Sequence, residues 1–177
     1  MKDTLCAIKE RSSTRAYTGE PLTKEELDAI IAAGLQAPTA GNNQEIHFTV
    51  MDSKAPILAE ILADMLKERP DAPADYIFYY GAPTVILLTG KEDFFWSTID
   101  AGIAVENMAL AAEALGLGSV ILGCIKETLR GEKKAYYSEA LGIPEGYEFE
   151  VAIAIGHKAM EKEPHDYVTE ERVNYIG

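Results

Sequence analysis

The stretch TVILLTG, Thr84 to Gly90, is apolar at four successive positions, Val85 to Leu88. A strand with one wet face alternates apolar and polar residues, whereas a run apolar at every position is buried on both sides. A sheet covered on both faces is therefore expected, with helices as the cover. The next segment supplies one. From about Ser97 to Leu115 the chain reads as a long helix rich in small residues: Ala101, Ala104, Ala109, Ala111, Ala112 and Ala114. Such a helix is either a central core helix or one at a subunit interface, apolar on most sides. GLGSVILGC then gives a glycine-framed strand, Ser119 to Leu122. A further helix is expected from Glu132 to Leu141. GYEFEVAIAIG, Gly146 to Gly156, alternates and then turns continuously apolar, so it reads as a strand.

Working back from Thr84, ERPDAPAD is a loop in which Pro70 and Pro73 block helix continuation. Ala55 to Glu68 is an amphipathic helix carrying Ile57, Leu58, Ile61, Leu62, Met65 and Leu66. IHFTVM, Ile46 to Met51, reads as a strand. QAPTAGNNQ, Gln36 to Gln44, breaks the preceding helix through Pro38 and Gly41, and its asparagines favour turns. That helix opens on the capping box TKEE, Thr23 to Glu26, and continues through Leu27, Ile30, Ile31 and Leu35. A first short helix is expected to be capped by Asp3 or Thr4, to put Leu5 and Ile8 on one face, and to end near Arg11. After the last strand comes a polar tail with apolar Val168, Val173, Tyr175 and Ile176. The pattern predicts one α+β domain over residues 1–177, built on a mixed sheet of at least four strands.

The formal charge of −13 argues against nucleic acid as a partner, because phosphate backbones select basic faces. Two cysteines, Cys6 and Cys124, and three histidines, His47, His157 and His165, have no metal-ligand spacing. No signal segment and no membrane-length apolar run is visible, so a cytoplasmic protein with reduced thiols is expected. The nucleophile elbow, the phosphate-binding loop with its lysine, and the dinucleotide fingerprint are each missing or out of register, since GLGSVILG runs into a strand rather than a helix. A cofactor that brings its own chemistry is the better class of explanation. Against this acidic background RSSTR, Arg11 to Arg15, concentrates two guanidinium groups and three hydroxyls. It reads either as an anion site, where the arginine fork matches phosphate oxygens, or as a solvated helix end.

Four segments decide between these readings. RSSTRAY (Arg11–Tyr17), APTAGNNQ (Ala37–Gln44), ALGLGSVILG (Ala114–Gly123) and LGIPEGYEFEVAIAIG (Leu141–Gly156) follow in order and at matching spacing. Together they resemble the nitroreductase-like family of FMN-dependent oxidoreductases over nearly the whole chain. The resemblance implies an α+β fold with a mixed, mainly antiparallel central sheet flanked by helices, assembled as a homodimer with FMN at the interface. It implies that Arg11, Ser12, Ser13 and Arg15 hold the FMN phosphate and ribityl chain. Pro38, Thr39, Ala40 and Asn42 would line the partner subunit's flavin edge, with Gln44 fixing the local backbone. The alternative for this loop is asparagines that only cap backbone groups. Backbone at Ile121, Leu122 and Gly123 would approach the flavin N5 region, unless these are simply buried strand. The family's tail lysine and arginine at the phosphate have Lys158, Lys162 and Arg172 as candidates here; Lys162 lies nearest the expected position, no arginine pairs closely with it, and His165 is a substitute. Where many family members have proline and an aromatic after the glutamine, this chain has Glu45 and Ile46.

The implied function is electron transfer from NADH or NADPH through FMN to a nitroaromatic, quinone or similar acceptor by a ping-pong mechanism, with no catalytic side chain. Other flavin chemistry, such as dehalogenation or dehydrogenation, and a non-catalytic flavin-binding module are the alternatives. Only Ser53 to Asp75 and Gly90 to Ser97 are available to cover the flavin. Phe94, Phe95 and Trp96 are either flavin contacts or interface residues. Cys124 reads as a small buried hydrophobe.

Overall fold

The computed structural model describes residues 3–167 and 172–177; Val168 of the apolar tail set lies outside them. The helices are α1 (Thr4–Glu10), α2 (Lys24–Leu35), α3 (Pro56–Lys67), α4 (Ser97–Ala114), α5 (Lys126–Arg130) and α6 (Lys134–Ala140). The strands are β1 (His47–Asp52), β2 (Thr84–Lys91), β3 (Gly118–Leu122) and β4 (Tyr147–Gly156), in the spatial order β1-β2-β4-β3. All three ladders are antiparallel. Among the described residues the single parallel pairing is an isolated bridge between Ser13 and Ser119.

The two-faced apolarity of β2 is used as its sequence demands. Val85 and Leu87 pack with Ala152 and Ala154 of β4 against Leu58, Ile61 and Met65 of α3. Ile86 and Leu88 pack with Ile153 and Ile155 against Ala101, Ala104, Val105 and Met108 of α4 and Ile30 of α2. Each such aliphatic side chain, taken fully out of water, contributes about 1.5–3 kcal/mol. Ala101, Ala104, Ala109 and Ala112 of α4 are buried, so one face of this helix is core, while Ile99 and Ile103 leave an apolar strip exposed on another.

α1 starts at Asp3, whose side chain accepts the Cys6 N–H, and the α2 capping box forms as the sequence predicts. The apolar face expected of α1 is not buried: Leu5 is 78% exposed, and Ala7 makes the buried contact instead. A seven-residue helix, just under two turns long, lies on α4 and buries only Ala7. The helix expected over Glu132 to Leu141 shortens to α6, and the five-residue α5 before it was not foreseen. β4 carries a register irregularity where Thr89 pairs with Phe149 rather than Glu150. It directs the Glu150 carboxylate to Arg130 Nη2 at 2.9 Å and the Thr98 hydroxyl at 2.8 Å, which explains a buried charge in an apolar strand.

Asp64 bolts α3 to α6. Its carboxylate accepts from Lys67 and Lys133 Nζ and from the Tyr137 hydroxyl, each at 2.6 Å. The lysines are exposed and their pairs are worth little. Tyr137 is fully buried, so its orphaned hydroxyl dominates the cost of removing the acceptor. Asp64→Ala is expected to lower unfolding free energy by about 1–3 kcal/mol. Hydrogen bonds from Lys133, Lys67 and Tyr137 hold the Asp64 carboxyl below the usual range. Its contribution is therefore complete above the unfolded value of about 3.9 and fades as pH falls through the folded one. Urea unfolding near neutral pH and again in acid checks this: the gap between wild type and mutant should narrow in acid.

Candidate functional site

The segment Arg11–Tyr17 is extended and stitched on both sides. Thr14 N–H donates to the Ser119 carbonyl at 2.9 Å at the start of β3. On the other side Thr18 N–H donates to His157 O at 3.0 Å and Ala159 N–H to Ala16 O at 3.0 Å. The Arg15 backbone N–H points at the Met160 thioether sulfur, 3.3 Å away. Thr14 is buried against Gly118, where a Cβ would stand 2.6 Å from the threonine hydroxyl. Glycine is what lets the segment lie this close to the sheet. The Tyr17 hydroxyl donates toward the carbonyls of Thr14 and Ala154, and burial raises its pKa, so it remains a neutral donor.

Extended backbone sends successive side chains to opposite sides. Ser12 and Thr14 line a cavity of about 330 Å³ with Lys9, Lys158 and Lys162 and with the glutamates Glu10, Glu113, Glu161 and Glu163. Lys158 is bound to the buried Glu113 at 2.7 Å. Arg11 lies 3.6 Å from Glu106 on α4. Arg15 stacks over Tyr80, 5.8 Å from the ring centroid, and borders a separate cleft with Pro73, Tyr76 and Tyr80. The structure thus brings Ser12 and Lys162 together, places Ser13 on the edge of β3, and holds Arg11 and Arg15 apart from that cavity. His165 is exposed and does not line it. Lys9 was missed because it sits on α1 and meets the tail only in space; Lys158 is one of the tail candidates, and Thr14 lies in the RSSTR stretch without an assigned contact. Tyr76 and Tyr80 lie in the run YIFYY, whose aromatic density was the available signal.

The Pro38–Gln44 loop is a strained turn. Gly41, Asn42 and Gln44 all adopt left-handed backbone, with φ of 62°, 55° and 51°. The Thr39 hydroxyl accepts the Gln44 N–H at 2.9 Å, and Gln44 Nε2 donates to Asn42 Oδ1 at 3.3 Å. Asn43 caps the Ala40 carbonyl at 2.8 Å. Ala40 N–H donates to Asp100 Oδ2 at 2.9 Å, which ties the loop to the first turn of α4. Pro38, Asn42 and Gln44 are exposed and Thr39 and Ala40 half-buried. Glu113 lies at the other end of α4, about 20 Å away along the helix. Within one subunit the loop and the lysine cavity are therefore distant.

At the end of β3, Leu122 is buried, whereas Ile121 is 38% exposed. Gly123 is exposed, and an added Cβ would have no heavy atom within 4 Å. Cys124 is half-buried, packed on the core beside Tyr76. Most of the stretch Ser53 to Asp75 is not a cover, because α3 is held in the core. Phe95 and Trp96 are exposed and meet edge-to-face at 5.3 Å. No group of three or more His, Cys, Asp or Glu side chains among the described residues is placed to hold a metal. No helix there is long and apolar enough to cross a membrane.

Residues 8–157 match the family described as the Nitroreductase family. An Archaeoglobus fulgidus protein, provisionally named as an NADH dehydrogenase/NAD(P)H nitroreductase, is 30% identical; the match covers 98% of this chain and 95% of that protein. A Bacillus subtilis protein named as an NAD(P)H FMN reductase is also 30% identical, with 99% of this chain and 74% of the relative covered. The crystal structure of a nitroreductase with bound FMN from Desulfitobacterium hafniense superposes with a TM-score of 0.89 at 28% identity over 100% of both chains.

Proposed function

The chain belongs to the nitroreductase family, and on that premise we propose that it is an FMN-dependent oxidoreductase using NADH or NADPH. When bound, FMN supplies the redox centre that relays electrons to a nitroaromatic, quinone or similar acceptor in a ping-pong cycle. The observation that carries the site assignment is the pairing of Ser13 with Ser119. It sets the arginine and hydroxyl donors at one end of β3, and the open edge at Ile121 and Gly123 lies at the other. At about 3.3 Å per residue, Ser119 and Gly123 are about 13 Å apart, a span suited to a phosphorylated flavin laid lengthwise.

The residues present fit that group. Ser12 and Lys162, which share one cavity, supply hydroxyl and charge-assisted donors for the phosphate and ribityl chain, with Ser13 beside them on the edge of β3; Arg11 and Arg15, held here by Glu106 and Tyr80, join the site only by turning from those contacts. The vacant space beside Gly123 admits a flat ring against the backbone of Ile121, Leu122 and Gly123. No side chain need act as a nucleophile; the protein's part is to orient the cofactor and exclude water.

The working unit in this reading is a homodimer with FMN at the interface, residues 1–177 forming one domain of each subunit. Trp96, Ile99 and Ile103 expose an apolar stripe on α4, and Leu5 and Ile8 of α1 add to the uncovered apolar surface. An apolar patch of this kind marks an interaction surface. The separation of the Pro38–Gln44 loop from the lysine cavity supports a loop that serves the partner's cofactor. Cys6 and Cys124 form no disulfide, in keeping with a reducing cytoplasm.

Purified protein is expected to sediment as a dimer, to carry the visible spectrum of oxidised FMN, and to bleach rapidly on anaerobic addition of NADH or NADPH. A spectrum without bleaching would make it a flavin-binding module. A colourless protein that takes up no FMN would sink the reading altogether.

A further inference from the structure

Directly after the Pro38–Gln44 loop stands a carboxyl group that the activity so far described does not use. Glu45 is only 6% exposed, and neither carboxylate oxygen has a hydrogen-bond partner among the described residues. An ionised carboxylate buried without donors is strongly disfavoured. Its neighbour is a second carboxyl, that of Asp100 on α4, itself 2% exposed and already engaged with the Ala40 N–H at 2.9 Å. A carboxylate already beside it disfavours a second negative charge on Glu45.

The surrounding groups do not relieve Glu45. Burial raises its pKa first and Asp100 raises it further; its own backbone N–H and the exposed Lys91 at the end of β2 pull the other way. In the same first turn of α4, Thr98 is committed to Glu150, whose charge is matched by Arg130. Along β1, the Nδ1 of His47 is buried and likewise has no partner among the described residues. A proton on Glu45 resolves the arrangement, because it converts an orphaned acceptor into a donor with Asp100 as the acceptor at hand.

We propose that Glu45 is a positioning residue: a proton shared between Glu45 and Asp100 holds the Pro38–Gln44 loop in its flavin-binding shape, so that FMN affinity falls when Glu45 ionises. The inference rests on the reading that this loop lines the flavin. Asp100 clamps Ala40 at the start of the strained turn and Glu45 leaves from its end. The left-handed residues between them persist only where the surroundings hold them. A second negative charge beside Asp100 pushes the two anchor points apart and loosens the turn.

The test compares wild type, Glu45→Gln and Asp100→Asn from about pH 5 to about pH 8.5. FMN affinity is read by quenching of flavin fluorescence, and melting temperature is read on the FMN-free protein. Wild-type affinity should fall by about tenfold more across this range than that of Glu45→Gln, which keeps a donor but cannot ionise. The phosphate's own ionisation acts on both proteins and cancels in the comparison. The FMN-free wild type should also lose melting temperature relative to Glu45→Gln as pH rises. A carboxyl raised in the folded state contributes fully below its unfolded value of about 4.3, and that contribution disappears as pH climbs through the folded one. Asp100→Asn removes the opposing charge yet keeps an acceptor for Ala40, so it should make both profiles shallower without abolishing them, because burial still disfavours the Glu45 charge; this holds even if Glu45→Gln folds poorly. Wild-type slopes retained by the two variants would overturn the shared proton. If no protein binds FMN at any pH, the flavin reading fails, and the melting profiles still decide whether the carboxyls share a proton.

Discussion

Gly123→Val is expected to leave a folded protein that binds FMN roughly ten- to hundredfold more weakly. The protein itself offers no obstacle to the new side chain. No heavy atom lies within 4 Å of the position a Cβ would take, and the backbone there is not left-handed. A β-branched residue also suits the end of a strand. Nothing within the subunit meets the isopropyl group, so in the proposed site it crowds the ring packed against that edge, and overfilling a close contact costs about 1–3 kcal/mol. Melting temperature should therefore stay near wild type while the dissociation constant for FMN, followed by fluorescence titration, rises. Unchanged affinity would remove Ile121, Leu122 and Gly123 from the site. A collapse of stability instead would mean that the open space is filled by protein, such as a second subunit.

The second large effect concerns the phosphate. Arg11→Ala and Arg15→Ala are each expected to cost about 1.5–3 kcal/mol of FMN binding, the scale of a hydrogen bond to a charged group. That is roughly a ten- to hundredfold loss. Riboflavin, which lacks the phosphate, should be affected much less, and parallel titrations with the two flavins read the difference. Neither substitution should unfold the chain. Arg11 faces the half-exposed Glu106, a pair worth little, and Arg15 gives up a stacking contact with Tyr80 worth about 0.5–1 kcal/mol. Equal losses for both flavins would refute the phosphate role. For Arg15 that outcome would also place it beside the ring, next to Tyr76 and Tyr80, since its guanidinium turns toward that cleft.

The short-range parts of this protein were legible in one dimension because each follows from a local rule. Four successive apolar residues in TVILLTG required cover on both faces, and two separate core clusters provide it. Thr23 and Glu26 specify a helix start because both reciprocal hydrogen bonds close within four residues. The order of the four motifs was enough to indicate the family, and the match over residues 8–157 bears it out. Short elements escaped the same reading. The five-residue α5 spans barely more than one turn, too short to show a period.

What depends on distant pairs had to wait for the folded chain. Ser12, Lys158 and Lys162 share a cavity although well over a hundred residues separate the first from the others. Leu5 matches the helical period as well as Leu58 does, yet one is exposed and the other fully buried. Periodicity assigns a face to a side chain, but only packing decides whether another element covers that face. Glu45 makes the point most sharply. In the sequence it was a mere departure from a family pattern. Its burial, its lack of hydrogen-bond donors and its neighbour Asp100, which also grips Ala40, exist only because the start of α4 packs beneath the turn. Desolvation and charge–charge repulsion act through space, and no local pattern encodes them.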